Sequence, residues 1–164
     1  MKQFIYILLI PFFLSAISCA ADEECRKERI VKMDVEFLKK TFNPTNSTYT
    51  TGTLNVDSLT VQGMDSLGVM IDSILYKNKK NVTQINLPLN KFATESTFVM
   101  RFNQTTDTLT IYHTNTDLYL SLECGCLKTH TIDTVLTTNH YIDSVKITNH
   151  NVNTTDAKHL QIYN

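Results

Sequence analysis

Cys124-Gly125-Cys126 is the stretch of this sequence whose residue types and spacing most directly offer chemistry. Two thiols two residues apart can chelate a soft metal or close a strained redox disulfide, and His113 and His130 lie near enough along the chain to add nitrogen ligands. Two features weigh against such a centre. Cys124 continues the alternation of Leu118, Leu120 and Leu122, which is the position of a buried structural cysteine, and no second CxxC or HxH completes a ligand set. The histidines His113, His130, His140, His150 and His159 are spread one to a strand or turn. His140 and His150 each end a Thr-Asn-His sequence that suits turn chemistry. All five are expected at the surface, and neither a metal site nor a cofactor is assigned.

Nucleophile patterns are as sparse. No serine sits in GxSxG, and no strand-turn-helix pattern would build an elbow for one. The acidic residues mostly start strands or occupy turns, where aspartate is expected in any case. No catalytic residue is assigned, and the chain is expected not to be an enzyme. One repeat stands out: Asp57-Ser58-Leu59, Asp65-Ser66-Leu67, Asp72-Ser73-Ile74, Asp107-Thr108-Leu109, Asp133-Thr134-Val135 and Asp143-Ser144-Val145 all read aspartate, hydroxyl, aliphatic. The structural account is that Asp and Ser or Thr close a turn and the aliphatic residue opens the next strand. The triplet also resembles the O-glycan acceptor motif of exported Bacteroidota proteins, which makes Ser58, Ser66, Ser73, Thr108, Thr134 and Ser144 candidate acceptors.

The elements that must carry these residues begin with an export signal. An eleven-residue apolar run from Phe4 to Leu14 is too short for a stable membrane-spanning helix, which needs roughly 20 residues. It reads as the core of a signal peptide over residues 1–18. Ala16 and Ser18 place slim side chains three and one before Cys19, whose thiol is positioned to receive a diacylglycerol thioether. Acyl chains, palmitate among them, partition at about 0.8 kcal/mol per buried methylene, so two or three would hold the chain on a bilayer through Cys19. Residues 19–28 form an acidic tether. Its Asp22-Glu23-Glu24 resembles the acidic lipoprotein export signal of Bacteroidota, which implies the outer membrane; its periplasmic or surface face stays open.

Removing residues 1–18 leaves 146 of 164, enough for one domain with a core, placed at residues 29–164. The shortened chain carries 14 basic against 16 acidic side chains and no basic block, so a nucleic-acid partner is not expected. With Cys19 acylated, Cys25, Cys124 and Cys126 remain, and an oxidising envelope would join two of them. A bridge from Cys25 to Cys124 or to Cys126 would pin the tether to the core, leaving one thiol over.

From Arg29 onward the pattern has period two. Val31, Met33, Val35 and Phe37 alternate with charged residues, Phe98, Met100 and Phe102 with Val99 and Arg101, and Leu118, Leu120, Leu122 and Cys124 form the longest regular run. Residues 42–53 read as a loop and Lys77 to Asn81 as a basic turn. Ile85, Leu87 and Leu89 alternate around Pro88, which lacks an amide donor and belongs on a sheet edge or strand end. About nine strands and no long helix predict an all-β fold. The architecture expected is an antiparallel two-sheet β-sandwich of immunoglobulin or transthyretin type.

Leu14 to Cys19, Asp22-Glu23-Glu24-Cys25, Asn86-Leu87-Pro88-Leu89, Thr108-Leu109-Thr110-Ile111-Tyr112 and Glu123-Cys124-Gly125 together resemble a family of small Bacteroidota lipoproteins catalogued as a domain of unknown function. That resemblance runs through most of the chain after residue 18. It implies an envelope location, a β-rich fold and pairing of Cys25 with Cys124, and it carries over no catalytic residue. Cys126 would then be the free thiol. The expected role is a membrane-tethered module that binds or assembles with an envelope protein or glycan. Its alternatives are a metal or thiol protein or enzyme using Cys126 with a histidine, and a glycan-binding module in which Tyr49, Tyr76, Tyr112, Tyr119, Tyr141 and Tyr163 converge.

Overall fold

The computed structural model describes residues 31–122 and 125–164, which fold into eleven strands with no helix among them. Cys19, Cys25 and Cys124 lie outside those residues, and with them the signal peptide, the tether, the lipidation site and the expected disulfide. Two open sheets pack face to face. The first is built on β1 (Lys32–Asn43), which has β11 (Leu160–Tyr163) on one edge, followed by β9 (Ser144–Ile147). Its other edge is shared: β5 (Gln84–Pro88) pairs with residues 32–36 and β2 (Thr48–Thr53) with residues 38–43. The second sheet runs β10 (Asn151–Val152), β8 (Gly125–Thr137), β7 (Thr105–Ser121), β6 (Glu95–Phe102), β3 (Val56–Met64), β4 (Met70–Val82).

The alternating residues supply the core. Met33, Val35 and Phe37 face inward from β1, Leu59 and Val61 from β3, Phe98, Met100 and Phe102 from β6, and Leu109 and Ile111 from β7, all buried. Phe37 and Phe102 meet across the two sheets edge to face, with ring centroids 5.9 Å apart, and Tyr141 stacks on Phe102 at 4.4 Å. Fully burying a side chain of this size contributes roughly 1.5–3 kcal/mol, so this inter-sheet seam accounts for much of the stability.

Five expectations change. The sheets are not wholly antiparallel, because β1 and β11 run parallel, Val35 opposite Leu160 through Leu38 opposite Tyr163. Residues 48–53 form an edge strand, not a loop; β2 is exposed on both faces, so it carries no apolar alternation to read. The basic turn at Lys77 to Asn81 lies inside β4, an exposed edge strand whose register slips repeatedly against β3. Asn78 there adopts φ 46°, and its amide donates to Thr60 Oγ1 at 3.0 Å. The run that starts at Leu118 is not a strand of its own: it continues β7, which is seventeen residues long and also carries Leu109 and Ile111. Lastly, Leu118, Leu120 and Leu122 are not inward: they are 46%, 51% and 95% exposed. β6 reaches only as far as Tyr112 and β10 only residues 130 and 131, so beyond them β7 and β8 form a two-stranded ribbon, pairing only with each other among the described strands; Leu127 stays buried there while Leu118 and Leu120 face out.

Candidate functional site

At one end of the sandwich the inward stripes turn polar. On β6 the stripe of Phe98, Met100 and Phe102 extends back to Ser96; on β7 Leu109 and Ile111 extend to His113 and Asn115; on β8 Ile132 extends to His130. Strand pairing sets Asn115 directly opposite His130 and His113 opposite Ile132. Ser96, His113 and His130 are buried, at 6%, 1% and 3% exposure.

Their hydrogen bonds fix every proton. Asn115 Nδ2 donates to the carbonyls of Asn90 at 3.1 Å and Ala93 at 2.8 Å, which orients the amide so that Oδ1 faces the imidazoles. Oδ1 can only accept, so both partners must donate: His113 Nδ1 at 3.0 Å and His130 Nδ1 at 2.6 Å. The neutral His113 ring then presents a bare Nε2, and the Ser96 hydroxyl 2.8 Å away donates to it. Ser96 Oγ in turn accepts the Asn90 amide at 2.7 Å. Only His130 Nε2, buried and without a partner, remains unsatisfied.

Electrostatics hold both rings neutral. Burial depresses the basicity of His113 more than its bond to Asn115 and the charge of Asp133 restore it. Burial again leads at His130, joined by His113, Lys91 and Lys128, and brings its pKa down to about 4. The rings lie 5.2 Å apart, edge to face.

Beside this cluster opens a cavity of about 380 Å³ between the β3–β4 hairpin and the segment from Pro88 to Phe98. Met64, Ile71, Leu75, Leu89 and Phe98 make most of its wall apolar, and the polar residues Asp65, Ser73, Asn90, Glu95 and Ser96 are also part of its lining. A pocket of this size, largely apolar with a few convergent polar groups, suits a small ligand.

Residues 58–164 match the Family of unknown function (DUF6452). The chain belongs to that family. No curated protein sequence matches it, and no solved structure does. The DUF6452 match begins inside β3 and takes in every strand that lines the cavity or carries the histidine pair.

The residues singled out from the DUF6452 sequence are distributed otherwise than expected. Cys126 is exposed, with its thiol free, and stands opposite Tyr119 on the ribbon. Four residues of strand, about 13 Å, separate it from His130, too far for a shared ligand. Among the described residues no group of three or more His, Cys, Asp or Glu is placed to hold a metal ion. His113, His130 and His159 are not surface histidines. The third is also buried: its Nδ1 accepts the Asp34 amide at 3.0 Å and its Nε2 donates to the Asn151 carbonyl at 3.1 Å, tying β1 to β10. His140 and His150 do lie at exposed turns. The six tyrosines do not converge: Tyr141 is stacked on Phe102, Tyr76 is bonded to the backbone of Asn86, Tyr49 packs on Phe42, and Tyr163 lies beneath Lys40.

The hydroxyl triplets also divide. Asp65 closes a turn as expected, accepting the amides of Leu67 and Val69 at 2.9 and 2.8 Å, with Ser66 exposed in it. Ser144 opens β9, but Ser58, Ser73, Thr108 and Thr134 sit within β3, β4, β7 and β8. Ser73 and Thr134 are exposed, and Ser58, Thr108 and Ser144 are half-buried. Asp107 does something the triplet did not announce. Fully buried, it accepts Thr138 Oγ1 at 2.6 Å, the amides of His140, Tyr141 and Ile142 at 2.7, 2.7 and 2.9 Å, and His140 Nδ1 at 3.1 Å. Burial opposes its charge, but these bonds prevail and hold its pKa down to about 2.

What sequence reasoning missed is the Ser96, His113, Asn115 and His130 cluster. A signal existed. Each of these residues extends an apolar stripe by one or two inward positions, which is where a polar residue faces the core and not the solvent.

Proposed function

We propose that the chain is a lipid-anchored envelope protein whose folded domain binds a small, largely apolar ligand in the cavity beside Ser96. The single observation that carries the binding reading is that cavity: about 380 Å³, apolar in its walls, with the Ser96 hydroxyl and Asn90 to orient a ligand's polar group. Anchoring through Cys19 is supported by the apolar run ending at Leu14 and the small residues Ala16 and Ser18. Outer-membrane placement is supported by Asp22-Glu23-Glu24, and O-glycosylation most at the exposed Ser66, Ser73 and Thr134. Likeness to the immunoglobulin or transthyretin sandwich is supported by the two open, face-to-face sheets.

Titration of the purified chain with an apolar fluorophore tests the pocket. Saturable one-to-one binding is expected, abolished in Ser73→Trp, whose bulky ring would enter the cavity from the exposed face of β4. Binding that never saturates, or that Ser73→Trp leaves intact, would remove the pocket from the account.

A further inference from the structure

We propose that Ser96 is an acyl-accepting nucleophile, with His113 as its general base and Asn115 as the residue that holds the imidazole in the reactive tautomer, acting on esters of small apolar acyl groups. This rests on the reading of the cavity as a ligand site and names the class of ligand. Three observations meet. The relay is continuous, Ser96 Oγ to His113 Nε2 at 2.8 Å and His113 Nδ1 to Asn115 Oδ1 at 3.0 Å. Its proton positions are forced by the two carbonyls that orient the Asn115 amide. And Ser96, at the head of that relay, is one of the residues that line the cavity. A serine hydrogen-bonded to a base, itself oriented by a third group, is the arrangement that activates a hydroxyl.

The step balances without further reagents than ester and water. Ser96 Oγ forms a bond to the acyl carbon as its proton passes to His113 Nε2; the carbon–oxygen bond to the leaving alcohol breaks, and that alcohol takes the proton from His113. Water, deprotonated by the same nitrogen, then releases the acid and restores the serine. Apolar walls from Met64, Ile71, Leu75 and Phe98 select the acyl group. His130 shares Asn115 Oδ1 and so competes for the group that orients His113, which makes Asn115 a positioning residue for both rings.

The test is treatment of the full chain with an alkyl fluorophosphonate, followed by peptide mapping, alongside hydrolysis of p-nitrophenyl butyrate. One adduct on Ser96 is expected in the wild-type chain, absent in Ser96→Ala. Hydrolysis in His113→Gln should fall by about 10²-fold or more. In Asn115→Asp the pH midpoint of labelling should rise, because a carboxylate stabilises the imidazolium, a displacement that a merely structural amide would not produce. Absence of an adduct on Ser96 at saturating probe in the folded wild-type chain overturns the proposal even where the variants fail to fold. If the apolar fluorophore still binds saturably in that case, the pocket stands and only the nucleophile falls.

Discussion

A buried carboxylate with five hydrogen bonds and a buried imidazole with one missing both make this fold sensitive to acid, each in its own pH window. Asp107 ties the segment from Thr138 to Ile142 to the root of β7, so Asp107→Ala leaves three backbone amides without acceptors. We expect it to lower unfolding free energy by about 3 kcal/mol in urea titrations; a loss within about 0.5 kcal/mol would mean that water replaces the carboxylate at no cost. The acid limb of stability separates the two groups. Because the folded-state pKa of Asp107 is depressed from 3.8 to about 2, its contribution is complete above the unfolded value and disappears as pH falls toward 2. His130 is depressed from 6.5 to about 4, so its neutral form favours the fold above 6.5 and stability declines between 6.5 and 4, by at most roughly 3 kcal/mol. His113 and His159 are shifted downward too. Melting temperatures measured from pH 7 to pH 4 should therefore fall, and His130→Gln should flatten part of that slope while leaving the loss below pH 4 that Asp107 contributes. An unchanged slope in the variant would show that His130 does not titrate in this window.

Elements differ in how much of the fold they support. The inner half of β7 is enclosed by β6 and β8 and contributes Leu109 and Ile111, whereas its outer half is a ribbon carrying Leu118 and Leu120 into solvent. Ile111→Ala is expected to cost 2–5 kcal/mol, about what a buried aliphatic truncation costs when its neighbours cannot collapse. Leu118→Ser and Leu120→Ser should stay within about 0.5 kcal/mol of wild type. Similar losses at both ends of β7 in urea titrations would contradict the division. The salt bridge of Lys128 with Asp117, 2.8 Å across the ribbon and partly exposed, changes this little. β2 and β4 show the same dependence on context from the other side. Both are edge strands exposed along nearly their whole length, so neither needs one buried face: β2 is largely threonine, and β4 mixes exposed Ile71, Ile74 and Leu75 with lysines, without a period-two alternation.

At the scale of the whole molecule, closure depends on the last strand. β11 lies parallel to β1, joins it to β9, and buries Leu160 and Ile162. Deleting residues 160–164 is expected to abolish cooperative unfolding, with circular dichroism losing its sharp thermal transition; retention of that transition would show the first sheet to be stable without its link. The proposed acylation at Cys19 predicts that Cys19→Ser moves the chain from the membrane fraction to the soluble one; an unchanged distribution would remove the anchor from the account. The amino-acid pattern alone determined that this is an all-β chain of two layers, and located β1, β5 and β6, because a strand with one buried face must alternate and Pro88 must sit where no amide is needed. It did not determine which sheet each strand joins, the parallel pairing of the two ends, or that Leu118 to Leu122 lie beyond the core. Those depend on what packs over a strand, and alternation reports only that two faces differ. Likewise Ser96, His113, Asn115 and His130 are separated by up to 34 residues, and only pairing of β6, β7 and β8 in one register brings their inward side chains to one place. Proximity across strands is a property of register, which no local stretch of chain encodes by itself.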